Sequence, residues 1–251
     1  MLMRITLVAS VCATFAVVGL QTAAAAPDTV TCSGRFSGTA RDLIVPNQLT
    51  TGAKNCLLMG ATITHDVIVE EDGFVNAENT TIGHDLIASK PSVVSTGNAN
   101  DVAGPVTVGH DIVISGSLTD QFGNHTCCPD INDATVGHDV RITGLLTDFE
   151  LEVQGDSIGH DLVMSGNATG FCCGFGPIWA GDNTVGHDLI VTDNTAPGGD
   201  FGWISVFENH VGHDAICSGN SPAVSRNTQP ELDWFGRSVG PNEAGHSNSC
   251  P

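Results

Sequence analysis

Val108-Gly109-His110-Asp111-Ile112-Val113-Ile114 is a phrase to which this chain keeps returning. It recurs as Ile82-Gly83-His84-Asp85-Leu86-Ile87-Ala88, Val136-Gly137-His138-Asp139-Val140-Arg141-Ile142 and Ile158-Gly159-His160-Asp161-Leu162-Val163-Met164. Val185-Gly186-His187-Asp188-Leu189-Ile190-Val191 and Val211-Gly212-His213-Asp214-Ala215-Ile216-Cys217 follow. Two earlier copies are looser: Ile63-Thr64-His65-Asp66-Val67-Ile68-Val69 has Thr for Gly, and Thr39-Ala40-Arg41-Asp42-Leu43-Ile44-Val45 has Arg in the His place. The eight copies lie 19 to 28 residues apart. Self-similarity at such a period marks a solenoid, in which each repeat buries its apolar face only against its neighbours.

Alternation within the phrase fixes its facing. Arg141 stands between Val140 and Ile142, so Arg141 faces water while Val140 and Ile142 face in, with Leu86, Ile112, Leu162 and Leu189 at the same position. Turns such as Ser115-Gly116, Ser165-Gly166-Asn167 and Ser218-Gly219-Asn220 close each strand, and no helical stripe competes. Short strands at this interval without helices between them do not make βαβ units. Coils stacked about 4.8 Å apart satisfy each strand from the coil above and below. Varying loop lengths favour a right-handed parallel β-helix, an all-β solenoid of about eight coils. The expected layout is a signal peptide at 1–26, the β-helix at 27–220, and a C-terminal tail at 221–251 tied back by a disulfide.

The address is read from the N-terminus. Arg4, the apolar run from Ile5 to Leu20 and Ala23-Ala24-Ala25-Ala26 make a secretory signal too short for a membrane span. A secreted, extracellular protein is expected. Acidic residues number 28 against 8 basic ones, which argues against nucleic acid and anionic membrane surfaces as partners. Eight cysteines remain once Cys12 leaves with the signal, an even count that reads as disulfides in an oxidising compartment. Pairs Cys32–Cys56 and Cys217–Cys250 would staple the two ends. The adjacent pairs Cys127-Cys128 and Cys172-Cys173 admit bridges to each other or vicinal bonds.

Gly-His-Asp-Leu-Ile-Val followed by Ser-Gly-Asn resembles the Val-Gly-Gly-Asn-Leu-x-Val repeats of secreted bacterial right-handed β-helix proteins, mostly uncharacterised. The resemblance covers about residues 32 to 250, and it implies a fold and an extracellular address. It departs where that family carries Gly-Asn and this chain His-Asp, so no role of the histidines is inherited from it.

Stacking the repeats sets Asp42, Asp66, Asp85, Asp111, Asp139, Asp161, Asp188 and Asp214 in one column. His65, His84, His110, His138, His160, His187 and His213, headed by Arg41, form the column beside it. The glycine before each His would permit a bulge that turns the ring to solvent. On one reading Asp caps the corner by accepting turn N–H groups and His fills the surface. On the other, these seven histidines with Asp66, Asp85, Asp111, Asp139, Asp161, Asp188 and Asp214 hold a divalent cation, Zn²⁺ or Ni²⁺, imidazole and carboxylate being its usual ligands.

An enzyme acting on polysaccharide is a further reading, suggested by fold alone. The residues lean away from it, since the Asn-Thr-Asp, Asp-Asp, Gly-His-Gly and Arg-Ile-Lys set of pectin hydrolases is missing. A single outward Thr column (Thr62, Thr81, Thr107, Thr135, Ser157, Thr184, then His210) reads as strand-favouring rather than ice-binding. Trp179, Trp203 and Trp234, with Phe171, Phe175, Phe201, Phe207 and Phe235, gather between 171 and 235. They read as a satellite cluster or as a platform for a neutral glycan or an extracellular protein. Sequons stand at Asn79, Asn124 and Asn167. The expected function is therefore a non-catalytic scaffold or surface-binding protein, with a cation-binding solenoid as the alternative.

Overall fold

A computed structural model describes residues 28–97, 104–116, 129–170, 176–197, 202–224 and 240–251. The chain forms an all-β parallel β-helix of three long sheets. Sheet I has ten strands and carries the residues that follow each His-Asp, such as Leu86–Ser89, Ile112–Ser115 and Val140–Thr143. Sheet II has eight, among them Phe74–Glu78, Leu151–Gln154 and Ile178–Gly181. Sheet III has nine, mostly two residues long, such as Thr81–Ile82 and Thr184–Val185. Each strand pairs in parallel with its counterpart one coil away, as Leu86 does with Ile112 and Ile112 with Val140. Eight strands in sheet II correspond to the eight coils expected.

In-out alternation builds the core, broken in sheet II at Ile204–Phe207, where all four residues are buried. Leu86, Ile112, Val140, Leu162 and Leu189 are fully buried along sheet I, with Ile131, Leu151, Val153, Ile178 and Ile204 opposite them in sheet II. Arg141 points outward, as alternation requires. The sheet III threonines also face out, one in-register column from Thr39 to Thr184.

The connections differ by corner. Sheet III passes to sheet I through three residues in register on every coil after the first, the Gly-His-Asp corner. Sheet II passes to sheet III through one or two residues, except after Thr96, where nine intervene. Sheet I passes to sheet II through anything from two to fourteen. Length variation is therefore concentrated at one edge of the prism.

The corner glycines do a different job from the bulge expected. None of Gly83, Gly109, Gly137, Gly159, Gly186 and Gly212 has positive φ. Each instead lies over the carbonyl of the corner residue one coil below: a Cβ on Gly109 would sit 2.1 Å from the Gly83 oxygen. Thr64 escapes this rule for a visible reason. Ala40 pairs with Ile63 and Leu43 with Val67, so the first corner is one residue shorter, and the Thr64 hydroxyl meets the Ala40 carbonyl as a donor at 3.5 Å.

Two buried asparagine files close the other corners. Asn167, Asn194 and Asn220 form one: the Asn194 Nδ2 donates to the Met164 carbonyl at 2.8 Å and to Asn220 Oδ1 at 3.1 Å. Asp156, Asn183, Asn209 and Asn242 form the second, with the Asn183 Nδ2 donating to Val153 O and Asn209 Oδ1. Such side chains satisfy backbone groups that a turn in the interior would otherwise orphan. The sequon residue Asn167 is 1% exposed with its amide engaged, so it is no glycan acceptor.

Disulfides Cys32–Cys56 and Cys217–Cys250 join the ends as expected. Beyond residue 220 the chain does more than cap: Glu243–Ala244 and Ser247–Asn248 add further strands to sheets III and I. Cys127, Cys128, Cys172, Cys173 and the signal segment lie outside the described residues, as do Phe171, Phe175, Phe201, Trp234, Phe235 and Asn124. Trp203 and Phe207 are buried, and Trp179 is half-buried with its ring 6.3 Å from that of Trp203.

Candidate functional site: the histidine–aspartate corner

The corner turns every column residue outward and brings the whole column into one file. Rings of His65, His84, His110, His138, His160, His187 and His213 stack with centroids 4.8–5.0 Å apart and planes within 6° of parallel. Their side chains are 43–47% exposed. An eighth ring, His246, continues the file at 5.0 Å from His213. Its phrase, Ala244-Gly245-His246-Ser247-Asn248, escaped the sequence reading because Ser replaces Asp and polar Asn stands where the inward Leu should be. The preceding Gly-His pair was the available signal.

Each imidazole from His65 to His213 is held between two carboxylates, and His246 rests on one. The Nδ1 of every ring lies 2.8–3.2 Å from an oxygen of the aspartate one coil below. For the seven rings from His65 to His213 it also lies 3.0–3.4 Å from an oxygen of the aspartate beside it. Carboxylates only accept, so the hydrogen is on Nδ1 and is donated to the lower aspartate, while the adjacent carboxylate stands close as a charge. The same lower Oδ1 accepts the backbone N–H of the next aspartate, as Asp85 Oδ1 does from Asp111 N at 3.0 Å. Backbone bonds run alongside, His110 N to His84 O and His138 N to His110 O. Asp42, Asp66, Asp85, Asp111, Asp139, Asp161, Asp188 and Asp214 therefore do what the capping reading asked of them.

Electrostatics follow from these partners. Burial would raise the Asp139 carboxyl, but the Asp161 N–H, Arg141 and His160 outweigh it and hold it below the ordinary range. Arg141 clamps Asp139 Oδ2 through Nη2 at 2.7 Å and Nε at 3.1 Å. Asp42 and Asp188 are likewise lowered, burial being overcome by His65 and the Asp66 N–H in one, and by His213 and the Asp214 N–H in the other. Asp214 falls to about 2 because Ser247 and His246 donate to it. The His84 imidazole is raised, chiefly by its hydrogen bond to Asp66.

Nitrogen and oxygen atoms of His65, Asp66 and His84 lie within 4.8 Å of one another, a pattern repeated up the file through His84–Asp85–His110, His110–Asp111–His138 and beyond. All seven histidines and seven aspartates singled out as cation ligands are thus brought together, and Asp42 and His246 join them. Every rung offers nitrogen and oxygen donors of the kind first-row divalent cations take.

Two other features lie outside the corner. Burial raises the Glu150 carboxyl; burial together with the charge of Glu150 pushes Glu152 up to about 7. Both precede or lie in a sheet II strand where Glu152 stands in register between Asp130 and Trp179. On sheet I one of two outward columns is apolar from Ile44 to Ile216 but for Arg141: Ile44, Ile68, Ile87, Val113, Val163, Ile190 and Ile216 align, with Ile68 and Ile87 well exposed, beside a polar column of Ser89, Ser115, Thr143, Ser165, Thr192 and Ser218. Among the described residues no helix is long and apolar enough to cross a membrane.

No protein-family model matches the chain, and no curated protein or solved structure gives a significant match.

Proposed function

We propose that this chain is an exported, non-catalytic β-helix that holds variable loops along one edge of a rigid rod, for an extracellular protein or a neutral glycan to bind. The observation that carries the reading is the concentration of length variation at the passage from sheet I to sheet II, while the other corners stay nearly constant except after Thr96. A scaffold needs such a division between a fixed frame and exchangeable insertions. Paired end disulfides and the apolar N-terminal segment support export. The apolar outward column on sheet I supports contact with a partner surface.

The test replaces residues 117–126 with a Gly-Ser segment of equal length. The melting temperature is expected to move by no more than about 2 °C, because the strands on either side, Ile112–Ser115 and Asp130–Asn132, keep their partners. Loss of the cooperative transition would sink the scaffold reading. On a panel of neutral glycans the intact chain is expected to be retained without cleavage, and the replaced chain to lose retention. Release of new reducing ends, abolished in Glu152→Gln, would overturn the reading in favour of a polysaccharide-active enzyme.

A further inference from the structure

We propose that the His-Asp corner is a row of three-ligand sites for a first-row divalent cation such as Zn²⁺, each built from one Nδ1 and two carboxylate oxygens. This stands independently of the scaffold reading.

Each Nδ1 is already at the spacing from its two carboxylates that an ion imposes. With bonds of about 2.0–2.1 Å, neighbouring ligands of an octahedral or tetrahedral ion are roughly 2.8–3.4 Å apart. On the seven rungs from His65 to His213, Nδ1 stands 2.8–3.2 Å from the lower carboxylate and 3.0–3.4 Å from the adjacent one. An ion takes the place of the Nδ1 hydrogen. The imidazole then carries its one remaining hydrogen on Nε2, transferred through water, and its charge is unchanged. The outer rim of the ring is the poorer alternative. Rings 4.8–5.0 Å apart and nearly parallel place their Nε2 atoms too far apart to share an ion, which spans at most about 4.2 Å between opposed nitrogens.

Stoichiometry follows from how the aspartates are shared. Each interior aspartate serves the histidine beside it and the histidine one coil above, so neighbouring rungs compete for it. Ions of charge +2 on adjacent rungs would also repel across about one coil spacing. Filling alternate rungs removes both problems. His65 takes Asp42 and Asp66, His110 takes Asp85 and Asp111, His160 takes Asp139 and Asp161, and His213 takes Asp188 and Asp214. All eight aspartates are then used once, and two carboxylates neutralise each ion. The other set leaves Asp42 and Asp214 idle, and it includes the His138 rung, where Arg141 already holds Asp139 Oδ2. Four tight ions per chain are expected. His246 has Ser247 in place of its adjacent carboxylate and makes no complete site.

Calorimetric titration of Zn²⁺ into the chelator-stripped full chain at pH 7.5 reads the number directly. Four tight equivalents are expected, three in His110→Ala and four still in His138→Ala. Long-range ¹⁵N–¹H spectra should show four histidines passing from the Nδ1–H to the Nε2–H form on loading. If His110→Ala loses its cooperative melt, His110→Gln, whose amide still donates to the carboxylates, takes its place and should also bind three. Binding with every imidazole keeping its Nδ1 hydrogen would place the ion on the outer rim and overturn the proposal. So would equal losses in His110→Ala and His138→Ala, or no uptake at millimolar Zn²⁺.

Discussion

Asp156 occupies a place where the coils above it use asparagine. Asn183, Asn209 and Asn242 each accept a backbone N–H through Oδ1 and donate Nδ2 to a strand carbonyl below. Asp156 keeps the first bond, accepting from Ala134 N at 2.7 Å, but its Oδ2 is buried and has no hydrogen-bond partner among the described residues. Burial lifts its carboxyl well above the ordinary range, favouring the neutral form in the fold. A carboxyl raised on folding weakens the fold as pH climbs above its unfolded value near 3.8. Asp156→Asn is therefore expected to raise the melting temperature by several degrees at pH 8 and by less at pH 4, in keeping with about 1 kcal/mol or more for a restored buried hydrogen bond. An unchanged melt at both values would contradict the file. Glycines separate by environment in the same way. Gly109→Ala drives a methyl into the Gly83 carbonyl and should abolish the cooperative melt or cost several kcal/mol. Gly144→Ala meets open space at φ +65 and should cost only about 1 kcal/mol.

At the level of single strands and corners, the alternation around Arg141 was enough to assign inside and outside in sheet I, because a period of two has only two registers. The outward turn of the histidines was also legible, but its cause was not. A bulge and a close carbonyl approach both ask for glycine, and only coordinates distinguish them. The asparagine files were hidden because their members lie 26–33 residues apart in segments of unequal length, with Asp in one place. Sheet II was equally faint: its strands, such as Asp130–Asn132 and Phe74–Glu78, share no phrase. One of these strands carries a titration. Glu152 at about 7 is neutral in the fold below that value and ionised above it, so stability falls as pH rises from about 4.5 through 7. Glu152→Gln should leave the melt at pH 4 unchanged and raise it at pH 8.5, by up to roughly 3 kcal/mol of stability. A shift of equal size at both values would show that burial of Glu152 is not the cause.

Over the whole molecule, stability is a sum over coils and their interfaces, with the terminal coils supported on one side only. The disulfides sit at those coils. They close loops of 24 and 33 residues, for which loss of a cross-link costs about 3–4 kcal/mol in the unfolded-chain account. Cys217→Ser with Cys250→Ser should speed amide exchange in Ile216, Asn248 and their neighbours, while Ile112–Ser115 stays protected as before. Uniform acceleration along the rod would mean that the coils unfold as one unit.

The constant Gly-His-Asp corner has a genetic consequence. Because Gly137 and Gly159 occupy the same position on successive coils, joining residue 136 directly to residue 159 removes one whole coil and leaves every remaining strand with a partner of matching register. Recombination between two copies of the phrase would therefore shorten or lengthen the rod in steps of one strand spacing. Reading frame and fold would survive together, making the gene a device that counts.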